Sequence, residues 1–374
     1  MVKAEEQLLL AILSPDGEGA TQTICRECRL TWRRILDRAL DEGIAGLLYV
    51  TLKGTSLCPE KTLSQLERVY FATWAANLTA YGAVEEIGSA LQTAGLRALL
   101  LPGAALLPLY RDYGVRPMDD VDLMVDEGYV RDVISALKGL GYTPWEGYKR
   151  VFERDGVVLD LHTDLFNTDR IAARRYAVRV DPADVWMRAS PSSIDGIFVM
   201  EPMDTLLYLC GHAMKHSFNT WFWFVDVQRV MMAYQEEIDW GQVVERAKQS
   251  HLLRSVCYTF LCLQRMFRIS PPEAICRAIH ALRFNVVERW LLQRVVRGGT
   301  IDRFGDILFL SGIERIGERI DFLRETYFPV RSVMRQVFPG IPDRLLSVAY
   351  LLRVGQVAFC GARGILRVVV GDRR

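Results

Sequence analysis

The sequence has almost no excess of charge of either sign: 46 Lys and Arg stand against 45 Asp and Glu, a net charge of +1. A net charge this small gives no electrostatic case for an extended nucleic acid and leaves room for local basic patches. No stretch reaches the roughly 18 consecutive apolar residues that a membrane-spanning helix needs. The opening MVKAEEQLLLAIL lacks the basic start, long apolar run and small-residue cleavage site of a secretory signal. A cytoplasmic protein is the expectation. The eight cysteines lie scattered at 25, 28, 58, 210, 257, 262, 276 and 360. Cys25 and Cys28 form a lone pair with no second pair at zinc-finger spacing and no preceding strand, so buried, reduced thiols are expected. Internal repeats and low-complexity segments are also missing.

What is present reads as globular. Half of the 374 residues are hydrophobic, and the length suits two or three compact units. Residues 1–95 read as helices: EEQLLLAIL, TWRRILDRALDEG, and a long stretch from Leu63 to Ala94 in which Leu66, Tyr70, Trp74, Leu78 and Tyr81 recur at helical spacing. The period changes in residues 96–200. Leu96–Leu101 reads as a buried strand entering a Pro102-Gly103 turn, AALLPLYRDYG as a short helix stopped by Gly114, and DVDLMV as a second strand. An amphipathic helix ends at Gly141, and YKRVFERDGVVLDLHTDLF forms two strands around an Asp155-Gly156 turn. A mixed sheet with helices on one face follows from this order. Helical spacing returns over 201–374, with Pro202 in a first helical turn. The fold class expected is α+β: a small mixed sheet between helical N-terminal and C-terminal regions. The C-terminal stretch Leu345–Val370, rich in Leu, Val and Arg, either packs on the protein or lies on a membrane surface or partner.

The chemistry concentrates in Asp119-Asp120-Val121-Asp122-Leu123. On a strand, Asp120 and Asp122 share a face while Val121 and Leu123 enter the core. Two carboxylates so placed repel unless a cation lies between them, which suits a hard divalent ion such as Mg²⁺. Asp160 and His162 share a face in Val157-Val158-Leu159-Asp160-Leu161-His162. If the two strands are neighbours, three aspartates converge and can hold two metals that clamp a phosphoryl displacement. Against this stands the plain alternative of solvated acids on an alternating surface strand.

The run LLLPGAALLPLYRDYGVRPMDDVDLMV resembles the core signature of DNA polymerase β-type nucleotidyltransferases. More narrowly, Gly103-Ala104, Arg116, Asp120 to Leu123, Leu140 to Tyr142 and Asp160 to His162 resemble a bacterial nucleotidyltransferase-like family. The resemblance is strongest from 96 to 230. It implies a nucleotidyltransferase core in which Asp120 and Asp122 bind the Mg²⁺ or Mn²⁺ carrying a nucleoside triphosphate. It implies that Asp160 binds the second metal or serves as base, and that backbone N–H groups around Gly103 cradle phosphate. Two positions depart from the pattern: Ala104 replaces the usual Gly or Ser, and Pro102 a frequent Lys.

His212 and His216 share a helix face at i, i+4, a zinc-capable spacing without a third ligand. They read as structural histidines, or, with the resemblance, Lys215 or His216 touches the triphosphate. Phe222 and Phe224 read as core, and Asp226 as either a support for a histidine or a surface acid. Arg116 either pairs with Asp119 or Asp120 or contacts a phosphate. The expected function is transfer of a nucleotidyl group to a hydroxyl on a small molecule, protein or RNA end, with an extended nucleic acid the least suited acceptor. The alternatives are a nucleotide- or metal-binding regulatory module without turnover, and a scaffold.

Overall fold

The computed structural model describes residues 3–15, 17–145, 148, 150–168, 174–296, 304–338 and 340–369. Five helices come first: α1 (Ala4–Leu13), α2 (Gly17–Glu27), α3 (Trp32–Asp41), α4 (Ala45–Leu52) and the long α5 (Glu60–Thr93). The sheet region follows as β1 (Ala98–Leu100), α6 (Leu107–Tyr110), β2 (Val121–Met124), α7 (Val130–Gly139), β3 (Thr143–Pro144), β4 (Val151–Arg154), β5 (Val157–His162), α8 (Arg174–Ala177), α9 (Pro182–Arg188), β6 (Ser190–Pro191) and β7 (Ile197–Val199). Helices return with α10 (Pro202–Lys215), α11 (Phe222–Ala233), α12 (Trp240–Gln249), α13 (Leu253–Phe267), α14 (Glu273–Ala281), α15 (Val286–Val296), α16 (Phe304–Gly312), α17 (Ile316–Tyr327), α18 (Arg331–Val337) and α19 (Leu346–Val369). The fold is α+β, as expected.

The seven strands form one mixed sheet in the order β3-β4-β5-β2-β1-β7-β6. β2 pairs parallel with β5, and β1 parallel with β7. The remaining pairs are antiparallel. The β4–β5 hairpin turns at Asp155 (φ 52°) and Gly156 (φ 80°), two adjacent left-handed residues that match the right-handed twist of the strands.

Two cores sandwich the sheet. On one side Val121, Leu123, Leu159 and Leu161 pack with Val84, Ile87 and Leu91 of α5 and Val133 and Leu137 of α7. On the other, Leu99, Leu101 and Met124 join a larger core with Leu206 and Tyr208 of α10. The expected one-sided helical layer is therefore half of the packing. Strand alternation gives the sheet two apolar faces at β1, and each needs cover.

Two other expectations need correction, and the helix expected from its spacing at α5 shows a divided stripe. On α5, Leu66 is fully buried, but Trp74 and Leu78 are 40% and 45% exposed. The second half of the helix instead buries Asn77, Ala80, Val84 and Ile87, because it meets the sheet with a different face. The short helix ends at Arg111, in the left-handed region at φ 53°, before Gly114 is reached. Gly114 instead packs where any Cβ would lie 2.3 Å from the Tyr70 ring. Finally, Cys25, Cys28, Cys58 and Cys276 are only partly buried, while Cys210, Cys257 and Cys262 are buried; all seven are free thiols.

Candidate functional site

Parallel pairing of β2 with β5 sets Asp122 beside Asp160 and Met124 beside His162. Because Val121, Leu123, Leu159 and Leu161 go to the α5 side, the acids and the histidine come out together on the opposite face. His162 Nε2 lies 2.7 Å from Asp122 Oδ1 and 3.5 Å from Asp160 Oδ2. Its Nδ1 lies 2.8 Å from Asn167 Oδ1. One ligand atom from each of Asp122, Asp160 and His162 falls within 4.8 Å of the others. This is the one such group among the described residues.

The electrostatics follow from that closeness. Burial works to raise the Asp122 pKa, but the hydrogen bond and charge of His162, with Lys215 and His216 beyond, outweigh it and lower the value. Burial opposes protonation of His162, yet Asp122 and Asp160 raise its pKa overall. The imidazole lies between the two acids, whose charge favours its protonated form. On Asp120 the charge of His162 is the weakest of the influences. Asp120 lies outside the compact group and keeps solvent exposure. Crowding by protein, followed by the charges of Asp122, Asp160 and Asp119, pushes it up to about 7. His162 is the ligand candidate that the expectation of three aspartates left out. Its place two residues after Asp160 on one strand is the signal that points to it.

The Pro102-Gly103 turn leaves the sheet next to the acids, since Leu101 N–H donates to Asp122 C=O at 3.0 Å. Gly103 has φ 149°, and the turn continues as a 3₁₀ segment, Ala104–Leu106. The N–H groups of Ala105 and Leu106 already bond to Leu101 and Gly103 carbonyls, so those of Gly103 and Ala104 are the candidates for a phosphate. The Ala104 side chain is buried in the α5-side core and offers nothing to a ligand.

Lys215 and His216 end α10 close enough to Asp122 to act on its charge. Burial, then Lys215 and Arg174, pushes His216 down to about 4, so it is neutral at pH 7. His212 stacks between His216 (centroids 4.5 Å) and Tyr208 (5.2 Å), against Trp223. Its Nδ1 is buried without a hydrogen-bond partner. No third ligand completes a zinc set with these histidines among the described residues.

Arg116 pairs with neither Asp119 nor Asp120. Its guanidinium is buried against Asp226, so Asp226 does not support a histidine either. Phe222 and Phe224 are core residues, 4% and 1% exposed.

A family described as uncharacterised nucleotidyltransferase matches residues 29–268, a span that holds the whole sheet, the acid face and α10. No curated protein matches the chain, and no solved structure does.

Proposed function

Because the chain belongs to this family of uncharacterised nucleotidyltransferases, we propose that it moves a nucleotidyl group from a nucleoside triphosphate to a hydroxyl acceptor on the Asp120–Asp122–Asp160 face. The observation that carries this reading is the in-register pairing of Asp122 with Asp160 on parallel strands, with His162 between the carboxylates.

Two carboxylates and an imidazole within 4.8 Å fit a divalent ion, and the nitrogen donor suits Mn²⁺ better than the oxygen-preferring Mg²⁺. When bound, such an ion neutralises charge on the triphosphate and on the departing pyrophosphate. Asp122, Asp160 and His162 would hold this ion, with Asp120 beside Asp122 to hold it at the triphosphate, and Asp160 would also share a second ion or take the acceptor proton. The acceptor oxygen bonds to the α-phosphorus, the bond from that phosphorus to the bridging oxygen breaks, and pyrophosphate leaves with the electron pair. Gly103 N–H and Ala104 N–H face phosphate oxygens, and Lys215 with His216 closes the site from α10. A small molecule, a protein side chain or an RNA end serves as acceptor; the near-zero net charge disfavours a long nucleic acid. Free thiols at all seven described cysteines fit a cytoplasmic setting.

One observation favours a second reading. With Ala104 buried and Pro102 beside the turn, no side chain there contacts the triphosphate, as a binding module without turnover would allow. The test is incubation with each of four labelled nucleoside triphosphates, Mg²⁺ or Mn²⁺, and cell extract. Label transfer with pyrophosphate release, lost in Asp122→Asn, supports the transferase. Metal-dependent binding without either product overturns it in favour of the module.

A further inference from the structure

The C-terminal segment lies outside the family match, which ends at residue 268, and it departs from the rest of the chain in charge. Residues 328–369 contain six arginines (331, 335, 344, 353, 363 and 367), no lysine and a single acid, Asp343, in a chain whose net charge is +1. Charge asymmetry of this size inside a neutral protein points to a partner of opposite sign.

The segment also has apolar side chains where water should be. On α19, Leu346, Ala349 and Arg353 form the buried stripe. Leu346 and Ala349 share a small core with Met334, separate from the two large cores. α19 packs on α17 and α18, and Tyr350 O–H donates to Pro329 C=O at 2.7 Å. The outward stripe of an ordinary surface helix is polar. Here Val348, Leu351, Leu352 and Phe359 occupy it, at i, i+3, i+4 and i+11, with Leu351 73% and Phe359 65% exposed. Phe328 and Val330, just before α18, are 53% and 50% exposed. Arg331, Arg335 and Arg344 are exposed in the same segment.

We propose that this segment docks on an anionic lipid surface, with the outward stripe of α19 at the acyl boundary and Arg331, Arg335 and Arg344 at the headgroups. A second copy of the chain would present the same excess of arginine, so charge opposes self-association through this face. An anionic bilayer satisfies both the apolar stripe and the charge. Insertion across the bilayer is not the mode, since no helix among the described residues is long and apolar enough to span it. The proposal is independent of nucleotidyl transfer.

The test uses the full chain and sedimentation with vesicles of phosphatidylcholine, alone or mixed with phosphatidylglycerol. Binding is expected to the mixed vesicles and to fall with added salt, and to be much weaker to the neutral ones. The double variant Leu351→Asp/Leu352→Asp should weaken binding by roughly tenfold or more, since two leucines no longer leave water. Arg344→Glu, at an exposed position, should weaken it by about fivefold or more, and serves if the double variant fails to fold. Absence of binding to the mixed vesicles overturns the proposal. So does a double variant that binds vesicles normally but changes the sedimentation-equilibrium mass, which would assign the face to a second copy.

Discussion

Arg116 and Asp226, 110 residues apart, meet in a two-pronged contact: Nε to Oδ1 at 3.0 Å and Nη2 to Oδ2 at 2.8 Å. Both are buried, at 4% and 0% exposure. Tyr110 O–H donates a third bond to Asp226 at 2.6 Å, and Asn77 Nδ2 donates to the Arg116 carbonyl. The pair ties the loop before β2 to α11, and so the acid strand to the C-terminal helices.

Removing one partner leaves the other charge buried and uncompensated. Asp226→Ala should therefore cost about 3–5 kcal/mol, read as a lowered urea midpoint. Arg116→Lys should also destabilise, because a lysine cannot keep both bonds. A phosphate-contacting role would predict normal stability with weakened nucleotide binding instead, and that result would reassign Arg116.

Glu42 offers a pH test far from the acids. Its carboxylate accepts from Trp221 N–H at 2.6 Å and meets Arg38 at 2.8 Å. Burial still prevails over both and raises its pKa to about 7. A carboxyl raised in the folded state binds its proton more tightly there than in the unfolded chain. Its contribution is fully present below about pH 4.5 and is lost as pH rises through about 7. Over that window the difference amounts to at most about 3 kcal/mol. Glu42→Gln should flatten this part of the stability profile, measured as urea midpoint against pH. A wild-type profile unchanged by the substitution would show that Glu42 is ionised throughout.

The acid face is legible in the sequence because strand alternation has a period of two, which by itself puts Asp120 with Asp122 and Asp160 with His162. The hairpin at Asp155-Gly156 is legible for its backbone chemistry. What pairs across long stretches of chain is not. Nothing near Arg116 in the sequence marks Asp226 as its partner, and the nearer acids Asp119 and Asp120 are the local guess. Helical periodicity in α5 likewise shows a stripe without showing which neighbour covers it, and Trp74 and Leu78 lie on the surface. β6 and β7, two and three residues long, are too short to show a period; β7 owes its strand form to pairing with β1, and β6 to pairing with β7.

Gly103 is testable through its backbone. At φ 149° a side chain is strained by about 1–3 kcal/mol, although the space around a Cβ is open, with the nearest atom 3.9 Å away. Gly103→Ala should lower stability modestly and leave room for a ligand. Gly103→Asp adds negative charge beside the phosphate position and should weaken nucleotide binding well beyond the alanine variant. Calorimetric affinities equal in the two variants would make Gly103 a structural turn only.

Asp120 and Asp122 should part company when each is changed to Asn, although both carry charge on one face. Asp122 sits in a favourable setting: His162 at 2.7 Å holds its pKa down. A depressed carboxyl contributes stability above its unfolded pKa and loses it as pH falls through the folded value. Asp122→Asn should thus remove stability at pH 7 and leave His162 with a weakened partner, besides abolishing metal-dependent nucleotide binding. Asp120 is the opposite case, pushed up to about 7 with Asp122, Asp160 and Asp119 acting against its charge. Its ionisation costs the fold, and the cost grows as pH rises through 7. Asp120→Asn should leave the metal-free protein as stable or more so at pH 8, while still weakening metal binding. The repulsion implied by two carboxylates on one strand face is therefore relieved at Asp120 and not at Asp122, where relief is the simplest sequence expectation. Thermal melts of both variants at pH 6 and pH 8, without and with Mn²⁺, check the point. A stabilised Asp122→Asn protein with an unchanged Asp120→Asn protein would mean that the His162 contact does not favour the Asp122 carboxylate.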